Sequence, residues 1–475
     1  MCHISLAKVH MPRRCTMQAA PWAMEEADGA ELGDRRLNLA WARILTALLG
    51  SVGRSFSAAV GEGLRQSASA LFHRPGLLVS SLLAGHFRTT ARRCARQPLT
   101  LVSTDSTAFN YTTHRATSGL GRIADKSRHR GVWAHHAMAL TCAGQPLGVL
   151  SLRFWVRGEK RTKGARRERP YAEKESFKWE ASLRDVEAQL PRDCPAVVIS
   201  DREADVFEYL RAPVRQGLWR LVRAAWPRGC RSADGTERST VLKAVRAARE
   251  VARMRFEVPR QKGQPGRVAE LVVRVARLWV ESPRSWAASR REVLGLTVIA
   301  VDEEGAPAGV KPLSWTLLTD YPVEDTETAL AVVDWYRRRW RVELAHRALK
   351  LDGYRVERLQ FDSVEALELA LATYWVVGWR AMNLALEARE HPELPAEERF
   401  TADELTVLSR LRGELVTTLG EAVHDIGKLG GWAGYASSPP PGIKVVQEGL
   451  LILKAMVRYH EVMHEDHADE RSDTR

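Results

Sequence analysis

A chain of 475 residues is long enough for two or three domains with a substantial core. It carries a formal net charge of +13, with 45% hydrophobic and 27% charged residues, a globular composition skewed toward a polyanionic partner. No run approaches the length of a membrane span, so nucleic acid is favoured over membrane.

The six cysteines, at 2, 15, 94, 142, 194 and 230, form no CxxC or CxxH pair. That argues against a zinc site or a disulfide framework and suits a reducing cytoplasm. Residues 1–17 lack the apolar core of a signal peptide and read as a disordered tail or an upstream start.

Residues 18–92 read as helical and basic. Ala30–Leu49 has helical apolar spacing, and Ser57–Leu83 gives two short helices broken at Pro75-Gly76. Arg35, Arg36, Arg43, Arg54 and Arg65 are candidates for phosphate contact.

A strand at Leu99–Thr104 then delivers Asp105. Buried strands often place catalytic carboxylates this way, although an Asp after a strand also forms turns. Gly131–Cys142 and Leu147–Trp155 continue as antiparallel strands. The segment Arg157–Arg169, with seven basic and two acidic residues, reads as a solvated charge run or a phosphate-gripping loop. A helix to about Leu190 precedes a fourth strand, Ala196–Ser200. Asp201 follows it, either as the N-cap of a helix or as an acid facing the crevice. Leu218–Arg223 is a fifth strand.

From about 224 to 314, alternating stretches at Met254–Val258, Val268–Val280 and Leu294–Val301 predict a β-rich insertion. Pro312–Thr319 closes it, with Trp315 as a core or contact residue.

Asp334–Gln360 then reads as a helix ending near Leu351. At 100° per residue, Tyr336, Arg339, Glu343 and Lys350 fall on one stripe beside Trp340 and Arg347. A carboxylate thus lies among cations and aromatics; a plain ion-paired surface is the simpler alternative. A long helix at Glu365–Glu390, a linker at Pro392–Glu398 and a helical region over 400–465 complete the chain.

The spacing Tyr336-x2-Arg339-x3-Glu343-x6-Lys350 is joined by Asp105-Ser-Thr, by Asp201-Arg-Glu-Ala-Asp205 and by Leu32-Gly-Asp-Arg-Arg36. Together they resemble the bacterial DDE transposases of the insertion sequence 4 family over roughly residues 25–460. The resemblance implies an α/β fold. Its RNase H-like core would be a mixed five-stranded sheet with helices, interrupted by a β-rich insertion and flanked by helical N- and C-terminal domains. The implied domains are an end-binding domain at 18–92, a catalytic domain at 93–392 with the insertion at about 224–314, a dimerisation domain at 393–465 and a disordered tail at 466–475.

The resemblance also implies that Asp105, Asp201 and Glu343 are catalytic and hold two Mg²⁺ ions, with Mn²⁺ able to substitute. Three oxygen donors suit such hard ions. It implies DNA contacts from Tyr336, Arg339, Lys350, Arg223, Lys126, Arg128, Arg35 and Arg36. Arg347 stands where close relatives carry Lys, and Trp315 and Trp340 would lie beside a flipped base. The implied activity is cut-and-paste transposition of double-stranded DNA by a cytoplasmic, nucleoid-associated homodimer with no nucleotide cofactor. A catalytically silent, DNA-binding inhibitor of the same family is the alternative.

Overall fold

The computed structural model describes residues 18–124, 128–158, 169–258, 265–350, 353–435 and 437–472, with side chains described as far as residue 463. The expected N-terminal tail, Lys126 and most of the basic segment 157–169 lie outside the described residues. The chain forms two compact units, one from His86–Ala348 and one from Met1–Gly85 together with Leu349–Arg475.

The unit at His86–Ala348 is built on one mixed sheet. Its strands are β1 (Thr100–Asn110), β2 (Gly121–Arg122), β3 (Arg130–Leu140), β4 (Pro146–Trp155), β5 (Ala196–Ser200), β6 (Leu218–Arg223), β7 (Gly229–Arg231), β8 (Arg238–Thr240), β9 (Glu250–Val258), β10 (Arg267–Glu281), β11 (Val293–Glu304) and β12 (Ser314–Thr319). The order is β2-β3-β1-β5-β6-β12-β11-β10-β7-β8, with β4 pairing β3 and β9 pairing β10. β1 runs antiparallel to β3 and parallel to β5, and β5 runs parallel to β6.

The run Thr100–Thr104 and all of β5 are buried, as expected of central strands covered on both faces. Val102, Val198, Leu218 and Leu318 pack there against Trp179, Leu183 and Val186 of the helix Lys178–Gln189.

Two expectations change. Among the described residues the sheet has twelve strands, not five, because the insertion is no separate β body. β12 pairs both β11 and β6, so the long hairpin β10–β11 extends the same sheet. And β1 does not end before Asp105; it continues to Asn110, since its antiparallel partner β3 outlasts its parallel partner β5.

The other unit is helical. Helices Arg35–Leu49 and Phe56–Phe72 pack with the long helix Val364–Glu390, where Trp41 Nε1 donates to Thr373 Oγ1 at 3.2 Å. Tyr354 is buried and its hydroxyl donates to the Leu49 carbonyl at 2.8 Å, satisfying a group at the end of that first helix. Helices Ala402–Arg412 and Leu419–Leu429 each begin with a capping box, from Thr401 with Glu404 and from Thr418 with Glu421. The last helix runs Ile443–Ser472, twelve residues beyond the expected end at His460 and into the expected tail. The extension contains no Gly or Pro to stop it.

Candidate active site

The site begins with two adjacent parallel strands. Thr104 and Ser200 are both buried, and their hydroxyls lie 2.7 Å apart; Thr104 Oγ1 also donates to the Ile199 carbonyl at 3.2 Å. Each residue immediately precedes an aspartate. The bond therefore locks β1 and β5 together at the step before Asp105 and Asp201. Strand alternation then turns both carboxylates to the opposite face from the hydroxyls.

Asp201 leaves β5 as the N-cap of the short turn Arg202–Ala204, accepting the Glu203 N–H at 2.8 Å. The expected helix is shortened to that turn and Phe207–Arg211. Asp105 accepts the Ser106 N–H at 2.8 Å.

Glu343 is exposed on the helix Arg341–Leu349. The continuous helix expected from Asp334 to Leu351 is instead two helices, Thr326–Arg338 and Arg341–Leu349, meeting at Arg339-Trp340. Buried Ser103, on β1, donates its hydroxyl to the Arg339 carbonyl at 3.3 Å, which fixes the break to the sheet. The break sends Arg339 inward and Trp340 outward: Arg339 is buried, and Trp340 is 54% exposed.

Asp105 feels the other two acids. Burial pushes the Asp105 carboxyl up to about 6; the Ser106 N–H and Arg339 pull it down, and Asp201 and Glu343 push it further up. The Arg339 guanidinium stands 3.6 Å from Asp105 Oδ2. Burial also raises the Tyr336 phenol, opposed by the nearby positive charges of Arg339 and Arg223. Arg223 in turn donates to the Ser314 carbonyl at 2.9 Å. One carboxylate cluster therefore adjoins a phenol and two guanidinium groups.

Among the described residues, no group of three or more His, Cys, Asp or Glu side chains stands ready to hold a metal ion. The donor chemistry nevertheless suits a hard divalent cation, because Asp105 and the two acids that act on it, Asp201 and Glu343, are oxygen ligands. The charges of Asp201 and Glu343 raise the cost of ionising Asp105, and a cation would relieve that cost.

The remaining expected contacts divide. Trp315 is 8% exposed and packs edge-on against Phe256 at 5.8 Å and against Tyr336 at 6.1 Å, so in this structure it serves the core. Trp340 has the open ring, with the Arg339 guanidinium 5.5 Å from its centre. Arg347 and Arg128 are exposed. Lys350, Arg35 and Arg36 belong to the helical unit. There Arg35 and Arg36 are exposed at a helix start capped by Asp34, and burial lowers the Lys350 amine.

Asp205 is structural, as its helical offset from Asp201 suggests. It is 1% exposed and holds Arg228 at 2.7 Å.

Sequence reasoning overlooked the histidines. His136 pairs with Asp105 across β3 and β1, and its ring lies 5.0 Å from His346, three residues after Glu343. Burial holds His136 down to about 4, so it is neutral at physiological pH. The preceding residue, His135, is fully buried and its Nδ1 lies 2.9 Å from Ser106 Oγ. Two adjacent histidines in the apolar run WAHHAMAL were the available signal.

The family model for the transposase DDE domain matches residues 97–376, more than half of the chain.

Proposed function

Because the chain belongs to the transposase DDE-domain family, we propose that it is a cut-and-paste DNA transposase of the insertion sequence 4 type, similar to the transposase of transposon 5. The coupling of Asp105 to Asp201 and Glu343 carries this reading. Asp105, on β1, feels the charges of Asp201, at the end of β5, and of Glu343, on a helix after the insertion, which supports a shared site. The strand order β4-β3-β1-β5-β6, antiparallel through β1 and parallel beyond it, supports an RNase H-like core.

Asp105, Asp201 and Glu343 would hold two Mg²⁺ ions, which when bound supply an activated hydroxyl and charge neutralisation at the leaving oxygen. The chain's own groups position the DNA. Arg339, rigid between Asp105 and Tyr336, offers planar donors to a phosphate beside the scissile bond. Tyr336 donates its phenolic proton to the same backbone. Arg223 and Arg347 extend the cationic track, and Trp340 offers a face to an unstacked base. Lys350, Arg128, Lys126, Arg35 and Arg36 complete the proposed contacts. Trp315 would join them only if the Phe256 strand gave way.

The reaction would nick each element end, form a hairpin through the freed 3′-hydroxyl, open it with water and join the end to target DNA. A homodimer paired through 393–465 would hold two ends.

The test is a duplex carrying the terminal repeat that flanks the reading frame, incubated with protein and Mg²⁺ and resolved on a denaturing gel. Nicks and hairpins absent with Asp201→Ala support the reading. Equal binding without cleavage in both proteins identifies the silent DNA-binding relative and refutes catalysis.

A further inference from the structure

Both strand-borne aspartates accept a backbone N–H from just beyond them in the chain. The Ser106 N–H donates to Asp105 Oδ1 at 2.8 Å, and the Glu203 N–H donates to Asp201 Oδ1 at 2.8 Å. A main-chain donor aims a carboxylate well only if its own residue is held. Ser106 and Glu203 are each held by their side chains, and the two tethers lead to one place.

The Ser106 hydroxyl lies 2.9 Å from Nδ1 of His135, on β3. The buried His135 ring stands edge-on to Trp179, with the ring centres 4.6 Å apart. Burial, with Lys178, His136 and Arg153 nearby, keeps this ring neutral, so it steadies Ser106 by a hydrogen bond and adds no charge.

The other tether is an ion pair. Lys178 Nζ lies 3.3 Å from Glu203 Oε2; the lysine side chain is 10% exposed and the glutamate 68%. A solvated pair is worth little by itself. Here the lysine end is anchored: its ammonium sits 5.3 Å from the centre of the Trp179 ring and 5.4 Å from that of Trp155. Lys178 and Trp179 open the helix Lys178–Gln189, and Trp179 is packed into the core beside Leu183 and Val186. Two adjacent residues at one helix start therefore hold the backbone donors of both aspartates.

We propose that Lys178 and Trp179 are positioning residues that hold Asp105 and Asp201 in place for a divalent cation, a role that rests on the metal-site reading above. Trp179 acts through His135 and Ser106, and Lys178 acts through Glu203. The sign of the effect separates alignment from plain electrostatics. Deleting the Lys178 charge would, on Coulomb grounds alone, leave a cation site unchanged or tighter; lost alignment weakens it.

The test titrates Mn²⁺ into the full-length chain and reads the free ion by electron paramagnetic resonance, with no turnover required. Lys178→Met keeps the aliphatic stem, and Ser106→Ala keeps the backbone N–H. Each weakens Mn²⁺ binding about 10- to 100-fold while melting in EDTA as the wild type does. Lys178→Arg, which can still pair with Glu203 and lie over the indoles, retains most of the affinity. Glu203→Gln weakens binding, and combining it with Lys178→Met adds nothing further, because one tether is already broken. Unchanged or tighter binding in Lys178→Met or Ser106→Ala overturns the proposal. So does multiplication of the Lys178 and Glu203 losses, or a loss of affinity that tracks a fall in melting temperature. If the wild type binds no Mn²⁺, or binding survives Asp201→Ala, the metal-site reading fails and takes these positioning roles with it.

Discussion

Two aspartates four positions apart have opposite duties. Asp201 is partly open and holds one backbone N–H, whereas Asp205 is buried with Arg228 and two backbone donors. Asp205→Asn therefore costs about 3–5 kcal/mol, because it leaves Arg228 buried without its charge partner. Asp201→Asn changes stability by about 1 kcal/mol or less. Urea unfolding of the two variants distinguishes these values; a small loss at Asp205 would show that the Asp205–Arg228 pair is not structural. Asp105 gives a pH signature. Burial pushes its folded carboxyl up to about 6 from an ordinary 3.8, so it retains a proton at pH 5 that it has released by pH 8. If it is a metal ligand, Mg²⁺ raises the melting temperature at pH 8 and barely at pH 5, since ligation requires the carboxylate. Asp105→Asn should show little response at either pH. Equal Mg²⁺ stabilisation of wild type at both would remove Asp105 from the ligand set.

Elements show where local sequence suffices and where it fails. β5 and β6 match their expected limits, since short buried apolar runs with turn signals leave little choice. The break at Arg339-Trp340 had no such mark. No Gly or Pro lies there, and the interruption comes with a contact to Ser103, 236 residues away in sequence. Angular projection through the break therefore placed Arg339 on an open stripe, while the fold buries it. The acids were legible because each sits in a short motif; the pairing of His136 with Asp105 depends on β1–β3 register, which one strand alone does not encode. The long helix Val364–Glu390 carries its own test. Burial and the neighbouring Glu365 push the Glu368 carboxyl up to about 7 from 4.5. The folded state keeps a proton that the unfolded chain has released, so stability falls as pH rises from 4.5 to 7 and the full cost remains above 7. Glu368→Gln should melt higher than wild type at pH 8, by roughly 1–3 kcal/mol of stability, and match it at pH 4. A constant difference across that range would contradict the assignment.

The whole molecule carries a charge of +13, and no helix among the described residues is long and apolar enough to cross a membrane. A DNA-binding role makes association strongly salt-dependent. With five phosphate contacts, from Arg35, Arg36, Arg223, Arg339 and Arg347, the logarithm of the binding constant should fall with log salt at a slope of about −4.5. A flat dependence in a fluorescence-anisotropy titration would exclude those phosphate contacts. The central claim, however, is that Asp105, Asp201 and Glu343 form one divalent-metal site. Its most direct test replaces Mg²⁺ with Fe²⁺, adds ascorbate and peroxide, and maps where the protein backbone is cut. A shared ion gives fragments ending near all three residues, suppressed together by excess Mg²⁺ and lost together in Asp201→Ala. Cuts near only one of them, or a pattern unchanged in the variant, would show that the three acids do not share an ion.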